Sequence, residues 1–224
     1  MPQPVPAVAA HGSVVLWAPP EHHALAEVLG QQARSRGLHV EHHSSAIEEP
    51  AAVLEALSAR GLPARLVIVA AGAGRIGTAL HTPAADWQQA WAQQCLAGLR
   101  VGLAAGSTLL AQRQGTLIYL GDDRGVTDAQ TVRHTPPTAF SASGAVASAG
   151  LRSLSQSMAR AWGPRRVHVA HVRLHHSPPW SAAQAAAVAQ ACWMLHEQAA
   201  TAWTHELDLR PTSAAAHHNG VFVQ

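Results

Sequence analysis

Residues 116–162 read T-L-I-Y-L-G-D-D-R-G-V-T-D-A-Q-T-V-R-H-T-P-P-T-A-F-S-A-S-G-A-V-A-S-A-G-L-R-S-L-S-Q-S-M-A-R-A-W. The stretch opens on an apolar strand, crosses a polar loop holding two adjacent prolines, and ends in a helix made mostly of Ala, Ser and Gly. Its strand, 115–121, is apolar on successive residues rather than alternate ones, the pattern of a strand covered on both faces. Its helix, 138–162, combines helix-forming alanines with side chains small enough to let another helix lie close.

Outward from this stretch the same alternation repeats. Residues 13–18, S-V-V-L-W-A, predict a buried first strand that Pro19 and Pro20 end. A helix follows over 21–36, with Leu25, Val28 and Leu29 on one face and Gly37 as its stop. A strand is expected over 39–43, and a helix over 48–60 with Pro50 in its first turn. The run R-L-V-I-V-A-A at 65–71 is the clearest buried strand. A long helix is predicted over 83–112, a strand over 166–174, a helix over 181–200 and a short last strand over 206–209. Strands alternating with helices give an α/β fold: a doubly wound, Rossmann-like parallel sheet of about six strands with helices on both faces. The expected organisation is an N-terminal extension over 1–12, one domain over 13–210 and a loose tail over 211–224.

Composition narrows the function. Hydrophobic residues make up 48% of the 224 and charged ones only 12%, so much of the surface is apolar or weakly polar. Buried contact with another chain or an alanine-rich composition accounts for this equally well. The net charge is +2 with arginines scattered, which gives no basic stripe for nucleic acid. Cys95 and Cys192 lie far apart, as in a reduced cytoplasmic protein. The N-terminus lacks the charged start and long apolar run of a signal peptide, and no stretch is expected to cross a membrane. Every one of the 15 cationic residues is Arg; there is no Lys, and Tyr119 is the single tyrosine.

The strand–loop–helix stretch resembles the catalytic segment of the short-chain dehydrogenase/reductase family. The resemblance extends over roughly 13–209: R-L-V-I-V-A-A-G is similar to the family's central strand ending in Asn-Asn-Ala-Gly, and D-W-Q-Q-A-W-A-Q-Q-C-L-A-G to the helix that carries its structural Asn. The family's site pairs a strand-end Ser with a Tyr-x-x-x-Lys at the start of the next helix. The resemblance puts Asp122 at the Ser position (Thr127 by counting back from the helix), Phe140 at the Tyr, Gly144 at the Lys, and Cys95 or Gln94 at the Asn. Without Lys, a Tyr-x-x-x-Lys pair exists nowhere in the chain. The family's glycine fingerprint after the first strand falls on Pro19, Pro20, Ala24 and Ala26. Prolines remove backbone donors and alanine methyls obstruct approach to a diphosphate. The expectation is therefore no cofactor, no metal and no catalytic residue. Only one helix stands between the second and third strands, where the family usually has a helix, a strand and another helix, and the substrate lid before the last helix is also missing.

The resemblance implies a partner. Family members assemble through the two helices at 83–112 and 138–162 and through the last helix and strand, and some are heterotetramers of an active and an inactive subunit, such as the 2-(hydroxybenzyl)succinyl-CoA dehydrogenase type. The first expectation is thus a non-catalytic subunit that assembles with and stabilises an active paralogue. Two alternatives stand beside it: an enzyme with a repurposed cleft around Asp122, His175 and Arg124, and a homo-oligomeric protein binding a small acyl ligand. Asp122 and Asp123 are expected chiefly in a loop or helix-cap role. Gly72-Ala73-Gly74-Arg75-Ile76-Gly77 matches Gly-x-Gly-x-x-Gly, but no helix begins within it, so it is read as a strand-end turn. The histidine doublets at 22–23, 42–43, 175–176 and 217–218 are read as solvated polar residues, since neighbouring rings on a strand face opposite ways.

Overall fold

The computed structural model describes residues 11–44, 49–70, 72, 75–122, 141–175 and 178–210. Six parallel strands form one sheet: β1 (Ser13–Trp17), β2 (His39–His43), β3 (Ala64–Ala70), β4 (Thr116–Asp122), β5 (His168–Leu174) and β6 (Glu206–Leu209). Their order is β2-β1-β3-β4-β5-β6, so the chain reverses direction across the sheet between β1 and β3. The crossovers are α1 (His23–Ser35), α2 (Pro50–Ala59), the continuous run α3 (Ala84–Ala90), a π-helical stretch (Trp91–Leu96) and α4 (Ala97–Gln112), then α5 (Ala142–Trp162) and α6 (Ala182–His196).

The expected doubly wound fold is observed, with continuous burial along β1, β3, β4 and β5 for the reason given: both faces are covered. Alternate residues feed two cores. Leu16, Ile68, Ile118 and Val172 pack on α1 and α6; Trp17, Val67, Tyr119 and Val169 pack under α2, α4 and α5. β2 pairs with β1 alone and forms an edge, consistent with the missing portion between β2 and β3. Its side chains His39, Glu41 and His43, joined by Arg60, form a charged cluster along that edge, a recurrent guard against further strand pairing.

The π-helical stretch was not expected. It lies where the inward face changes from Ala90 to Gln94 and Cys95, and one extra residue per turn brings both side chains inside. The helical run 84–112 spans 29 residues with a window of mean hydropathy 1.2, and so is long and apolar enough to cross a membrane by length and composition. A core helix meets the same criterion. The hydropathy has a local cause: Val101, Ala105 and Leu109 are core residues against the sheet.

The glycines of α4 set the spacing of this layer. Gly98, Gly102 and Gly106 recur every four residues, and a methyl at each would collide with Leu151, with the Tyr119 hydroxyl and Met158, or with Trp162 (2.8 Å) respectively. Tyr119 is fully buried; its hydroxyl donates to the Gly98 carbonyl at 3.1 Å, with Met158 Sδ at 3.2 Å. Gly102→Ala is expected to destabilise the fold by about 1–3 kcal/mol through overpacking. Tyr119→Phe removes one hydrogen bond and is expected to cost about 1 kcal/mol. Urea unfolding of the two variants measures the order; equal costs would mean that α4 shifts to make room.

Candidate functional site

In a doubly wound sheet ligands bind at the carboxyl ends of the strands, where the order reverses. Here that place is the ends of β1 and β3. After β1, Ala18 and Pro19 lead into a 3-10 turn, Pro20–His22, and the regular helix begins only at His23. The turn is closed by the His22 amide donating to the Pro19 carbonyl at 3.0 Å. Neither Pro19 nor Pro20 has an N–H to offer, and Ala24 and Ala26 pack their methyls on the core. His22 is buried, its ring edge-on to Trp180 at 5.0 Å, and burial lowers its pKa despite the opposing Glu21. His23 is paired with Glu27 at 3.1 Å. The turn offers a diphosphate fewer donors than a glycine-rich one, since Pro19 and Pro20 contribute none, and the nearby Glu21 carboxylate repels an anion.

The second part of the site lies where β4 ends beneath α5. Asp122 Oδ1 accepts from Ser148 Oγ at 2.9 Å, and the Gln94 amide lies 3.3 Å from the same hydroxyl. Ser148 and Gln94 are buried; Asp122 is partly exposed. One hydroxyl hydrogen cannot serve two acceptors, and the shorter contact to a carboxylate is the stronger. A half-turn of the Gln94 amide puts its NH₂ toward Ser148. The chain then runs in one direction, from Gln94 Nε2–H to Ser148 Oγ–H to Asp122. The loop or helix-cap role expected for Asp122 is thus corrected: its carboxylate reaches a buried serine two turns into α5. The cap of α5 is instead Ser141, whose hydroxyl accepts from the Gly144 amide at 3.1 Å. Gly144 is buried. Cys95 is buried too, near Gly150 and Trp91, and burial raises its thiol pKa, which suits packing. Of the two alternatives the resemblance offered for the Asn position, it is Gln94 that reaches this network; Ser148 escaped the sequence reading. The pattern of small residues in α5 conceals which Ser faces the strand end, and the π-helical stretch shifts the inward positions of its helix.

Phe140, Thr127, Arg124, Asp123 and Ala71 fall outside the described residues. The grouping of Asp122 with His175 is not the one observed. His175 Nε2 pairs with Asp208 Oδ1 on β6, and Arg173 and Arg210 hold Oδ2 of the same carboxylate. Burial raises the Asp208 pKa, but hydrogen bonds from Arg173, Arg210 and His175 outweigh it and hold the carboxyl well below its usual range. Nor are the histidines generally solvated. His168 is a core residue bonded to the Leu195 and Thr204 carbonyls, and His43 stacks on Trp17 at 5.1 Å. His171 lies buried over Gly121, where a methyl on Gly121 would touch its Nε2. Desolvation lowers its pKa to about 4, although Glu206 opposes the shift. Among the described residues no group of three His, Cys, Asp or Glu could hold a metal.

A cavity of ≈ 530 Å³ opens at the switch point. Trp17, Pro19, His43 and Ala70 from the strand ends form one side, and Gln93, Gln94, Ala97, Gly98, Arg100 and Val101 from the helical run form the other. Gln94 therefore links the cavity to Ser148 and Asp122.

No family model and no curated protein matches this chain. Solved structures do. A short-chain dehydrogenase from Rhodopseudomonas palustris superposes with a TM-score of 0.72 and 26% identity over 90% of this chain and 99% of its own. A metagenomic short-chain oxidoreductase in complex with NADP gives 0.68 and 20%, over 91% and 99%. A short-chain dehydrogenase/reductase from Brucella ovis gives 0.69 and 17%, over 89% and 100%.

Two outcomes are expected. A buried His with a folded pKa near 4, against 6.5 when unfolded, binds fewer protons folded than unfolded. Stability therefore rises with pH between these values and is lost as pH falls through them. His171→Leu is expected to flatten that acid limb by up to about 3 kcal/mol; an unchanged urea midpoint profile from pH 4 to pH 7 would place the effect elsewhere. In a double-mutant cycle, Asp122→Asn and Ser148→Ala are expected to couple by about 1–3 kcal/mol. Additive costs would mean that the hydrogen bond contributes nothing.

Proposed function

We propose that this chain, with its short-chain dehydrogenase/reductase fold, is a non-catalytic subunit that assembles with and stabilises an active paralogue. One observation carries the reading: the chain's single tyrosine is a core residue. Tyr119 is fully buried, its hydroxyl is bonded to the Gly98 carbonyl, and its pKa is pushed far up by desolvation. Carbonyl reduction needs an acid placed at the substrate oxygen and a cation to make it acidic. A buried phenol and a lysine-free sequence supply neither. At the positions that the resemblance assigns to the Ser and the Lys stand Asp122 and the buried Gly144. Pro19, Pro20, Ala24 and Ala26 stand in the place of the glycine fingerprint, where the prolines remove two backbone donors and the methyls hinder close approach of a diphosphate.

The apolar surface supports the assembly half of the reading. Trp91 (40% exposed), Leu96 (39%), Leu103 (59%) and Val146 (50%) stand on the outer faces of the 84–112 run and α5. Exposed side chains of this size on adjacent helices suit burial against a partner's helices. The small residues of α5 play a different part from the one expected. Ala142, Ser143, Gly144, Ala147 and Ser148 are buried within this chain, so the partner-facing surface is the larger residues around Val146. The proposal takes the assembly as a heterotetramer through these two helices and through α6 with β6. It takes the location as cytoplasmic, in keeping with two buried, unpaired cysteines.

The test is native mass measurement and identification of what copurifies with the chain from its own host at native abundance. An intact short-chain dehydrogenase is expected, and Leu103→Asp with Val146→Asp is expected to release it. Micromolar binding of NAD(H) or NADP(H) by the isolated chain, or carbonyl reduction by it, would sink the reading. The Ser148–Asp122 hydrogen bond favours a second reading, chemistry at Asp122. Under that reading Asp122→Asn abolishes an activity while leaving the fold intact.

A further inference from the structure

We propose that the edge of the sheet where its strands begin is a docking surface for the phosphodiester backbone of nucleic acid, held without regard to base sequence by a row of arginines. The inference goes beyond the assembly reading and does not depend on it. All the strands are parallel, so every helix returns the chain to this one edge. That topology gathers arginines that are scattered along the sequence. Arg36 precedes β2, Arg60 precedes β3 and Arg65 is its second residue, Arg113 precedes β4, and Arg165 and Arg166 precede β5.

Contacts between the connections make the row continuous. The His11 amide donates to the Gly37 carbonyl at 3.2 Å, and the Ser13 amide to the Pro63 carbonyl at 3.0 Å. Arg65 Nη1 donates to Gln114 Oε1 at 2.9 Å, and the His168 amide to the Gly115 carbonyl at 3.0 Å. With neighbouring strands about 4.8 Å apart, the entries from β2 to β5 span about 20 Å. Among the described residues the connections at this edge contain one acid, Glu197, and Arg36 holds it at 3.1 Å. Arg60 is held by Glu41 at 2.9 Å. Arg113, Arg165 and Arg166 are exposed and make no ion pair among the described residues, which leaves a positive strip.

Two of these arginines are held in a strained conformation. Arg113 has φ 49° and Arg166 has φ 67°, and among the described residues no other side-chain-bearing residue has a positive φ. Where α1 and α2 end at the same edge, the left-handed residues are Gly37 and Gly61. A basic side chain in the last turn of a helix complements its dipole, but that role needs no left-handed arginine. Glycine would close both turns without strain, and strained residues persist where the side chain has a use. A guanidinium stays charged and grips phosphate oxygens by paired hydrogen bonds, so a line of them suits a linear polyanion. A membrane surface would call for apolar anchors beside the charges. Among the described residues the one exposed large apolar side chain near this edge is Met194, in the last turn of α6.

Fluorescence anisotropy of the full chain against a labelled mixed-sequence DNA duplex of about 20 base pairs, at about 50 mM salt and upward, tests this. Binding is expected in the micromolar range, with log K falling against log salt at a slope of about −3.5, as about four phosphate contacts require. Arg113→Gly with Arg166→Gly is expected to weaken binding about tenfold or more and to reduce that slope by about 2, while the melting temperature holds or rises because glycine relieves both turns. Arg75→Gln with Arg210→Gln removes the same charge from the opposite edge and is expected to leave binding within about twofold. The proposal is overturned if the folded chain does not bind the duplex or binds it without salt dependence. It is overturned equally if the glycine pair binds like the parent or loses stability, if the opposite-edge pair weakens binding as much, or if vesicles containing anionic phosphatidylglycerol bind more tightly than the duplex.

Discussion

The close approach of α4 to the sheet governs the arrangement of the whole α4–α5 side of this molecule. Three glycines spaced one turn apart allow it, and the side chains that occupy the space are Tyr119 from β4 and Leu151, Met158 and Trp162 from α5. The Tyr119 hydroxyl, fully buried in the core, finds an acceptor in the Gly98 carbonyl. Strand, helix and neighbouring helix are thereby locked at one spacing. The same contact takes the only phenol in the chain and spends it on packing.

The polar groups at the end of β4 are organised around that rigid layer. Ser148 sits one turn from Leu151 on α5 and reaches both Asp122 at the strand end and Gln94 in the π-helical stretch. This is a satisfied, partly buried network, and such networks hold structure whether or not they do chemistry. On the other side of Gln94 lies the cavity bounded by Trp17, His43 and Arg100. Pro19, at the start of the turn after β1, stands in its wall.

The histidines divide along the same lines. Those on β5 and in the 20–22 turn, His168, His171 and His22, are buried and have their pKa values lowered chiefly by desolvation. On β2, His39 and His43 share Glu41 at the sheet edge, while His42 turns to the Ala18 carbonyl. A doublet in sequence says nothing of this division, because neighbouring residues on a strand or turn face opposite environments.

The sequence by itself determined the six strands and their crossovers, since continuous apolar runs bounded by Gly and Pro have few other ways to be buried. It also determined what the chemistry lacks: a chain with no Lys and one Tyr inside an apolar strand has no Tyr–Lys pair to offer, in any fold. Tertiary structure alone decided which side chains meet. It brought Gln94, Ser148 and Asp122 together across 54 and 26 residues of chain, sent His175 to Asp208 rather than to Asp122, and turned the small face of α5 inward. Local pattern fixes which face of an element is apolar. The partner that covers that face depends on helix rotation and on a single extra residue in a helical turn, and only the packed molecule sets these.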